Sequence, residues 1–321
     1  MQPKEIFLEF KDNKLLPFLF GEYNAHLSHL EKSLEVSIND RGNTLRISGK
    51  PASILLAEEA LQALYNKLQR SDVQEITTAD IDAELRFLNA KDEKSQPINK
   101  DQIDKGPVIK TRNKTINPRS PNQARYLEMI QKKDMVFGLG PAGTGKTYLA
   151  VAAGVGMYLE GNVSRLIFCR PAVEAGERLG FLPGDMKEKI DPYLRPIYDA
   201  LHDMLPWDFM MKKMETGEIE IAPLAFMRGR TLGHAFVLLD EAQNATCSQM
   251  KMFLTRMGER SRMVITGDLT QTDLPAGTCS GLSEAVDILG GVDEIGFTTF
   301  DKEDVIRHKL VKKIIHAYDR Q

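Results

Sequence analysis

Apolar side chains recur along this chain in two different periods, and the switches between them mark its parts. Near the start, Glu5 to Phe10 alternates apolar and polar like a half-buried strand. Leu34-Glu35-Val36-Ser37-Ile38 and Leu45-Arg46-Ile47 read as a hairpin turning through Asp40-Arg41-Gly42-Asn43. Pro51 to Leu68 changes to helical spacing, with Ile54, Leu55, Ala57, Leu61, Leu64 and Leu68 in register, and Thr77 and Thr78 can cap a further helix to about Leu88. Farther on, the strands become short unbroken apolar runs, as expected of strands covered on both faces. Five are read: 135–139, Leu166 to Cys169, Phe236 to Leu239, Met263 to Thr266 and Glu294 to Thr298, with helical stretches between them. Strands alternating with helices predict an α/β doubly wound fold with a mainly parallel sheet. A small α/β unit precedes it.

Residues 96–117 are polar, basic and without periodicity, and read as a flexible linker, a solvated tether more than a nucleic-acid arm. The expected division is therefore 1–95, 96–117 and 118–321. Of 321 residues, 42% are hydrophobic and 27% charged, a globular composition. The net charge of −3 is uneven: −4 over residues 1–95, +3 over 96–117 and −2 over 118–321. Any nucleic-acid contact must then use a local basic patch. No apolar run reaches the length of a membrane span and no signal-peptide core is evident, so a cytoplasmic protein with no membrane partner is expected. Cys169, Cys247 and Cys279 are far apart in sequence and show no C-x-x-C pair, so neither a zinc site nor a disulfide framework is expected.

Gly140-Pro141-Ala142-Gly143-Thr144-Gly145-Lys146-Thr147 matches G-x-x-x-x-G-K-[ST], a phosphate-binding loop. A short buried strand precedes it and an Ala-rich helix, Tyr148 to Met157, follows, which is the context the motif needs. Glycines let backbone N–H groups turn onto phosphate oxygens, and the helix N-terminus adds its partial positive charge. Lys146 can reach the β- and γ-phosphates and the Thr147 hydroxyl can hold Mg²⁺. Phe236-Val237-Leu238-Leu239-Asp240-Glu241 ends an apolar strand in two carboxylates, which at the C-terminal end of a parallel strand face the ligand crevice. Asp240 is expected to help hold Mg²⁺ and Glu241 to polarise an attacking water, which favours hydrolysis over transfer to a small acceptor.

Other candidates follow from chemistry and position. Thr266-Gly267-Asp268-Leu269-Thr270-Gln271 ends the next apolar strand; inserted between the two motif strands, it sets Asp268 and Gln271 near the γ-phosphate, unless it is a plain turn. Gln123, at the start of a helix leading to the loop strand, offers the donor and acceptor that suit an adenine edge. Arg228, Arg230 and Arg307 are candidate stabilisers of a phosphoryl-transfer transition state, against a reading as solvated surface charge. Arg170 is open between a nucleic-acid contact and an ion pair with an acid. Only 53 residues follow Asp268, too few for a second domain of the same kind, so a neighbouring subunit is expected to complete the site, with Arg307 acting across the interface.

These motifs together resemble the PhoH-like ATPases, whose P-loop NTPase core is RecA-like and similar to superfamily 1 helicases. The resemblance is carried by 140–147, Asp240-Glu241-Ala242-Gln243-Asn244, Gly267-Asp268-Leu269-Thr270-Gln271, and Arg170-Pro171-Ala172-Val173-Glu174-Ala175-Gly176-Glu177 with Leu182-Pro183-Gly184-Asp185. It covers about residues 118–321. It implies ATP and Mg²⁺ as cofactors, ATP hydrolysis linked to RNA, and a ring-like homo-oligomer, a hexamer among the options. It also implies partnership with a YbeY-type endoribonuclease in ribosomal RNA maturation. The N-terminal layout resembles a KH-type RNA-binding module, with Gly21-Glu22-Tyr23-Asn24 at the place of the G-x-x-G loop. The second glycine is absent and Glu22 would repel phosphate, which leaves RNA binding, protein docking and a structural role open for this part.

Three function classes compete on these readings. The first is an ATP-hydrolysing motor or switch acting on RNA. The second is a nucleotide-gated interaction protein that recruits a partner and barely moves nucleic acid. A nucleotide or phosphometabolite kinase is third, and Glu241 speaks against it.

Overall fold

In the computed structural model, residues 4–69, 75–93, 107–171, 186–271, 273–275 and 277–305 are described. They divide into two compact units. In the N-terminal unit, β1 (Lys4–Glu9), β2 (Ser37–Arg41) and β3 (Thr44–Gly49) form an antiparallel sheet in the order β1-β3-β2. Helices Leu16–Phe20, Ala25–Leu34, Pro51–Gln69 and Thr78–Glu93 accompany it. Leu45, Ile47, Ile54, Ala57, Leu61 and Leu64 bury the seam between sheet and helices.

The hairpin differs from expectation in its first arm. Leu34 closes the preceding helix, Glu35 turns left-handed at φ 55° to end it, and the strand starts only at Ser37. Gly21–Asn24 joins helices Leu16–Phe20 and Ala25–Leu34. Here Tyr23 and Asn24 both adopt left-handed backbone (φ 52° and 60°), and the Asn24 amide donates to Asp40 Oδ1 at 3.0 Å. Asparagine tolerates that region better than other non-glycine residues, which accounts physically for a loop without its second glycine.

The second half of the expected linker is not a tether. β4 (Ile109–Lys110) and β5 (Thr115–Ile116) pair antiparallel, and residues 107–118 belong to the C-terminal unit. Ile109 and Ile116 are both 6% exposed, within the same core as helix Lys146–Leu159. Burying each contributes about 1.5–3 kcal/mol, enough to order a short basic hairpin.

The C-terminal unit is built on a six-stranded sheet. Its strands are β6 (Met135–Leu139), β7 (Arg165–Arg170), β8 (Ile219–Pro223), β9 (Ala235–Leu239), β10 (Arg262–Gly267) and β11 (Ile295–Thr299). They lie in the order β11-β6-β10-β9-β7-β8, and every pairing is parallel. Side chains alternate between two cores: Val136, Leu166, Phe168, Phe236, Leu238 and Val264 pack with helix Lys146–Leu159 on one face. Phe137, Ile167, Val237, Leu239 and Ile265 pack on the other, with Phe253 and Leu282. Both faces being buried explains the unbroken apolar runs. β8 was not expected; Glu220 interrupts the apolar run of Ile-Glu-Ile-Ala-Pro, and its proline suits an edge position. Among the described residues, no helix is long and apolar enough to cross a membrane.

Candidate nucleotide site

Three parallel strands end at the same place. β10 lies between β6 and β9, so the phosphate-loop motif, Asp240-Glu241 and Gly267-Asp268 converge at their C-terminal ends. The turn needs its glycines: Gly140 has φ 140°, and a Cβ there would stand 2.4 Å from the Phe300 carbonyl oxygen. Gly143 and Gly145 are left-handed, at φ 84° and 86°. The Gly140 N–H donates to Gly267 O at 3.0 Å, and Thr144 Oγ1 donates to Pro141 O at 3.0 Å. Gln123 lies beneath this loop, 2% exposed, and its Nε2 donates to Thr144 O at 2.9 Å. The structure thus makes Gln123 a buttress of the loop, in place of the expected reader of the adenine edge.

A cleft of about 720 Å³ opens beside the loop. Ala142, Gly143, Gly145, Lys146 and Thr147 form one wall, and Asp240, Glu241, Gly267, Asp268 and Gln271 face them. Lys146 Nζ donates to Gly140 O at 2.6 Å and Pro141 O at 2.8 Å. Burial lowers its pKa, while Glu241, Asp268 and Asp240 pull in the opposite direction. Asp240 is 2% exposed; burial raises its carboxyl pKa, and Arg170 opposes this. Its Oδ1 accepts from Thr147 Oγ1 at 2.6 Å and Thr266 Oγ1 at 2.7 Å. Arg170 Nε stands 3.3 Å from Asp240 Oδ2, and its other arm pairs with Glu241 Oε1 at 2.9 Å. Of the two roles left open for Arg170, the structure shows the ion pair, inside the site.

Glu241 sits in left-handed backbone at φ 52°, strain of the kind stored at functional sites. Gln243 follows in a 3-10 turn and links two carboxylates. Its Nε2 donates to Glu241 Oε2 at 2.5 Å, and its Oε1 accepts from the Asp268 N–H at 3.1 Å. Asp268 Oδ1 is held by Thr270, while its buried Oδ2 has no hydrogen-bond partner among the described residues. Gln271 is exposed on the cleft wall. Gln243 and Thr266 were not singled out in the sequence, although both lie inside quoted motifs. A polar residue closing an apolar strand was the signal for Thr266; for Gln243 there was none beyond its place after the acidic pair.

The remaining basic candidates lie elsewhere. Arg230 forms a two-armed ion pair with Glu220 of the edge strand, both contacts at 2.7 Å, a tie within the chain away from the residues that line the cleft. Arg228 is exposed after the short turn Leu224–Met227 and lies outside the cleft lining. Arg307 and residues 172–185 of the Arg170–Asp185 block lie outside the described residues.

The profile of the family described as PhoH-like protein matches residues 115–319. The chain belongs to the PhoH-like family. It is 48% identical over 304 residues to a PhoH-like protein of Bacillus subtilis, covering 94% of this chain and 93% of that one. Against a PhoH-like protein of Mycobacterium tuberculosis the identity is also 48%, over 94% of this chain and 84% of the relative. Protein PhoH of Escherichia coli is 47% identical over 202 residues, 62% of this chain and 57% of its own length. Among solved structures, the UvsW helicase of bacteriophage T4 covers 92% of this chain and 89% of its own, at 12% identity and a TM-score of 0.39. The fold of this PhoH-like chain is that of a P-loop NTPase, a nucleotide-binding fold, and the cleft opens beside its phosphate-loop motif.

Proposed function

We propose that this PhoH-like protein hydrolyses ATP with Mg²⁺ and that the change of nucleotide state drives work on RNA. The observation that carries the reading is the 2.6 Å bond between Thr147 and Asp240, which joins the phosphate-loop hydroxyl to the strand-end carboxylate beside Glu241 and Lys146. The residues present fit a divalent ion: a hydroxyl and a carboxylate oxygen already meet, and Asp268 offers a buried oxygen with no partner among the described residues. Thr147 and Asp240 would hold it, and it would supply charge neutralisation on the β- and γ-phosphates. Lys146 binds the same phosphates. Glu241 orients and polarises water, with Arg170 and Gln243 fixing both carboxylate oxygens. Asp268, joined to Glu241 through Gln243, passes the state of the γ-phosphate to the loop after β10.

RNA as the partner draws support from Tyr23, whose ring is fully exposed on the Gly21–Asn24 loop, where bases can stack. The test is ATP turnover with and without single-stranded RNA at low salt, on wild type and Glu241→Gln. Glu241→Gln should bind ATP normally and lose at least about 100-fold in turnover. Full turnover in that variant overturns the hydrolytic role, and turnover indifferent to RNA overturns the RNA half. The same assay across protein concentration reads whether a neighbouring copy completes the site. Turnover per chain then rises with assembly, and it stays constant if each chain is self-sufficient.

A further inference from the structure

The turn that leaves the acidic pair runs into helix Cys247–Leu254, and the chain returns beside it to start helix Gly281–Leu289. The starts of these two helices are fastened together by main chain. The Gly281 N–H donates to Ala245 O at 2.9 Å, and Thr246 and Ser280 form an isolated antiparallel bridge. Because residues adjoining such a bridge face one another, Cys247 and Cys279 are brought opposite each other, although 32 residues apart in sequence. The Cys247 thiol donates to Cys279 O at 3.5 Å, and Glu284 lies in the first turn of the second helix. Both sulfurs and a Glu284 carboxylate oxygen lie within 4.8 Å of one another.

We propose that Cys247, Cys279 and Glu284 form a binding site for a thiophilic divalent cation of the zinc class. The geometry fits: two sulfurs each about 2.3 Å from a tetrahedral zinc stand about 3.8 Å apart, and a carboxylate oxygen is a common third ligand. The electrostatics fit as well. With protein groups alone, three donors crowded within 4.8 Å of one another oppose each other's ionisation. A divalent ion at their common point turns that mutual repulsion into attraction and deprotonates the thiols. Two helix N-termini add partial positive charge that favours thiolates. Cys279 and Glu284 are exposed, which gives the ion a path in and leaves a fourth position to water. Cys169 is buried in the sheet core and takes no part. A disulfide between the same two cysteines would leave Glu284 without a role, and the cation uses all three donors. The site adjoins the nucleotide cleft through Ser280, whose hydroxyl donates to the Gln243 carbonyl at 3.4 Å.

The test is titration of the reduced, metal-stripped full-length protein with Co²⁺, followed by Zn²⁺ competition. The expected result is a thiolate-to-cobalt charge-transfer band that saturates at one equivalent and is displaced by Zn²⁺. Cys247→Ser and Cys279→Ser should each abolish the band, and Glu284→Gln should keep it while weakening affinity about 10–100-fold. Circular dichroism and nucleotide binding show whether each variant is folded. For a variant that does not fold, alkylation of the wild-type thiols replaces it, and should be blocked by saturating Zn²⁺. The proposal is overturned by a wild type without the band, by a band that survives loss of either cysteine, or by affinity indifferent to Glu284. It is equally overturned if the two thiols are found as a disulfide and, once reduced, take up no Co²⁺.

Discussion

Replacing Arg170 by Met tests the electrostatic reading of the site most directly, because it removes a charge while keeping the stem that packs beneath it. In the folded chain the guanidinium lies 3.3 Å from Asp240 Oδ2 and 2.9 Å from Glu241 Oε1. Asp240 is the buried partner, at 3% side-chain exposure, with Arg170 at 17% and Glu241 at 41%. At an effective dielectric of about 20, a pair at this separation attracts by about 5 kcal/mol before desolvation is counted. Breaking a buried pair costs about 3–5 kcal/mol. The lower end, about 3 kcal/mol, applies here because Thr147 and Thr266 still bond Oδ1 and because the exposed Glu241 contact adds at most about 1 kcal/mol. The loss has a defined pH dependence. Burial already raises the Asp240 pKa in the folded state, and losing Arg170 raises it further. A group with a raised folded pKa loses stability as pH rises from the unfolded value, about 3.9 for Asp, to the folded one. The gap between variant and wild type should therefore be smaller near pH 4 than at pH 7. Urea unfolding at both pH values measures it. A loss under about 1 kcal/mol at pH 7, or one equal at both pH values, would refute the reasoning.

Three further outcomes follow from the same geometry. Gly140→Ala would set a methyl 2.4 Å from the Phe300 carbonyl in backbone that L residues avoid, so thermal unfolding should report a loss of about 3 kcal/mol or more. Gln243→Ala frees Glu241 Oε2 and leaves the Asp268 N–H unpaired; it should cost about 1–3 kcal/mol of stability and lower kcat about tenfold with little change in KM for ATP, read from steady-state turnover. Chelating divalent ions should weaken nucleotide binding at least about 100-fold in a fluorescence titration, and unchanged affinity would contradict a shared Thr147–Asp240 ion site.

The motif strands were legible because each is an apolar run sealed on both faces and closed by chemistry at its end, as in Leu239-Asp240 and Leu139-Gly140. Partners across the sheet were not. Arg170 meets Asp240 only because β7 runs beside β9, with Cys169 paired to Leu239, and no local spacing encodes that register. The same holds for Gln123, which the packing of its helix turns under the phosphate loop and away from the cleft. The basic stretch at 107–117 misled because its periodicity is only two residues long in each arm; two isoleucines order it through burial, which polarity along the chain does not show. β8 was hidden for a related reason, since an edge strand needs neither length nor a continuous apolar run.

Charge around the cleft links the fold to the proposed chemistry. Asp199, Asp203, Asp240, Glu241 and Asp268 line it, against one lysine, Lys146. Among the described residues Lys114 pairs with Asp203, and Lys146 alone stands among Asp240, Glu241 and Asp268, a balance that disfavours a bare triphosphate. Two devices reduce the imbalance without adding free cations. Arg170 neutralises the acidic pair from behind, and the backbone N–H groups of a loop held open by Gly140, Gly143 and Gly145 present partial positive charge from the front. On the proposed reading, a divalent ion held by Thr147 and Asp240 would supply further positive charge. Loss of the γ-phosphate then disturbs one balance shared by Asp240, Glu241 and Asp268, and Gln243 ties two of these three together. That shared balance is a physical route by which hydrolysis in the cleft could move the loop after β10.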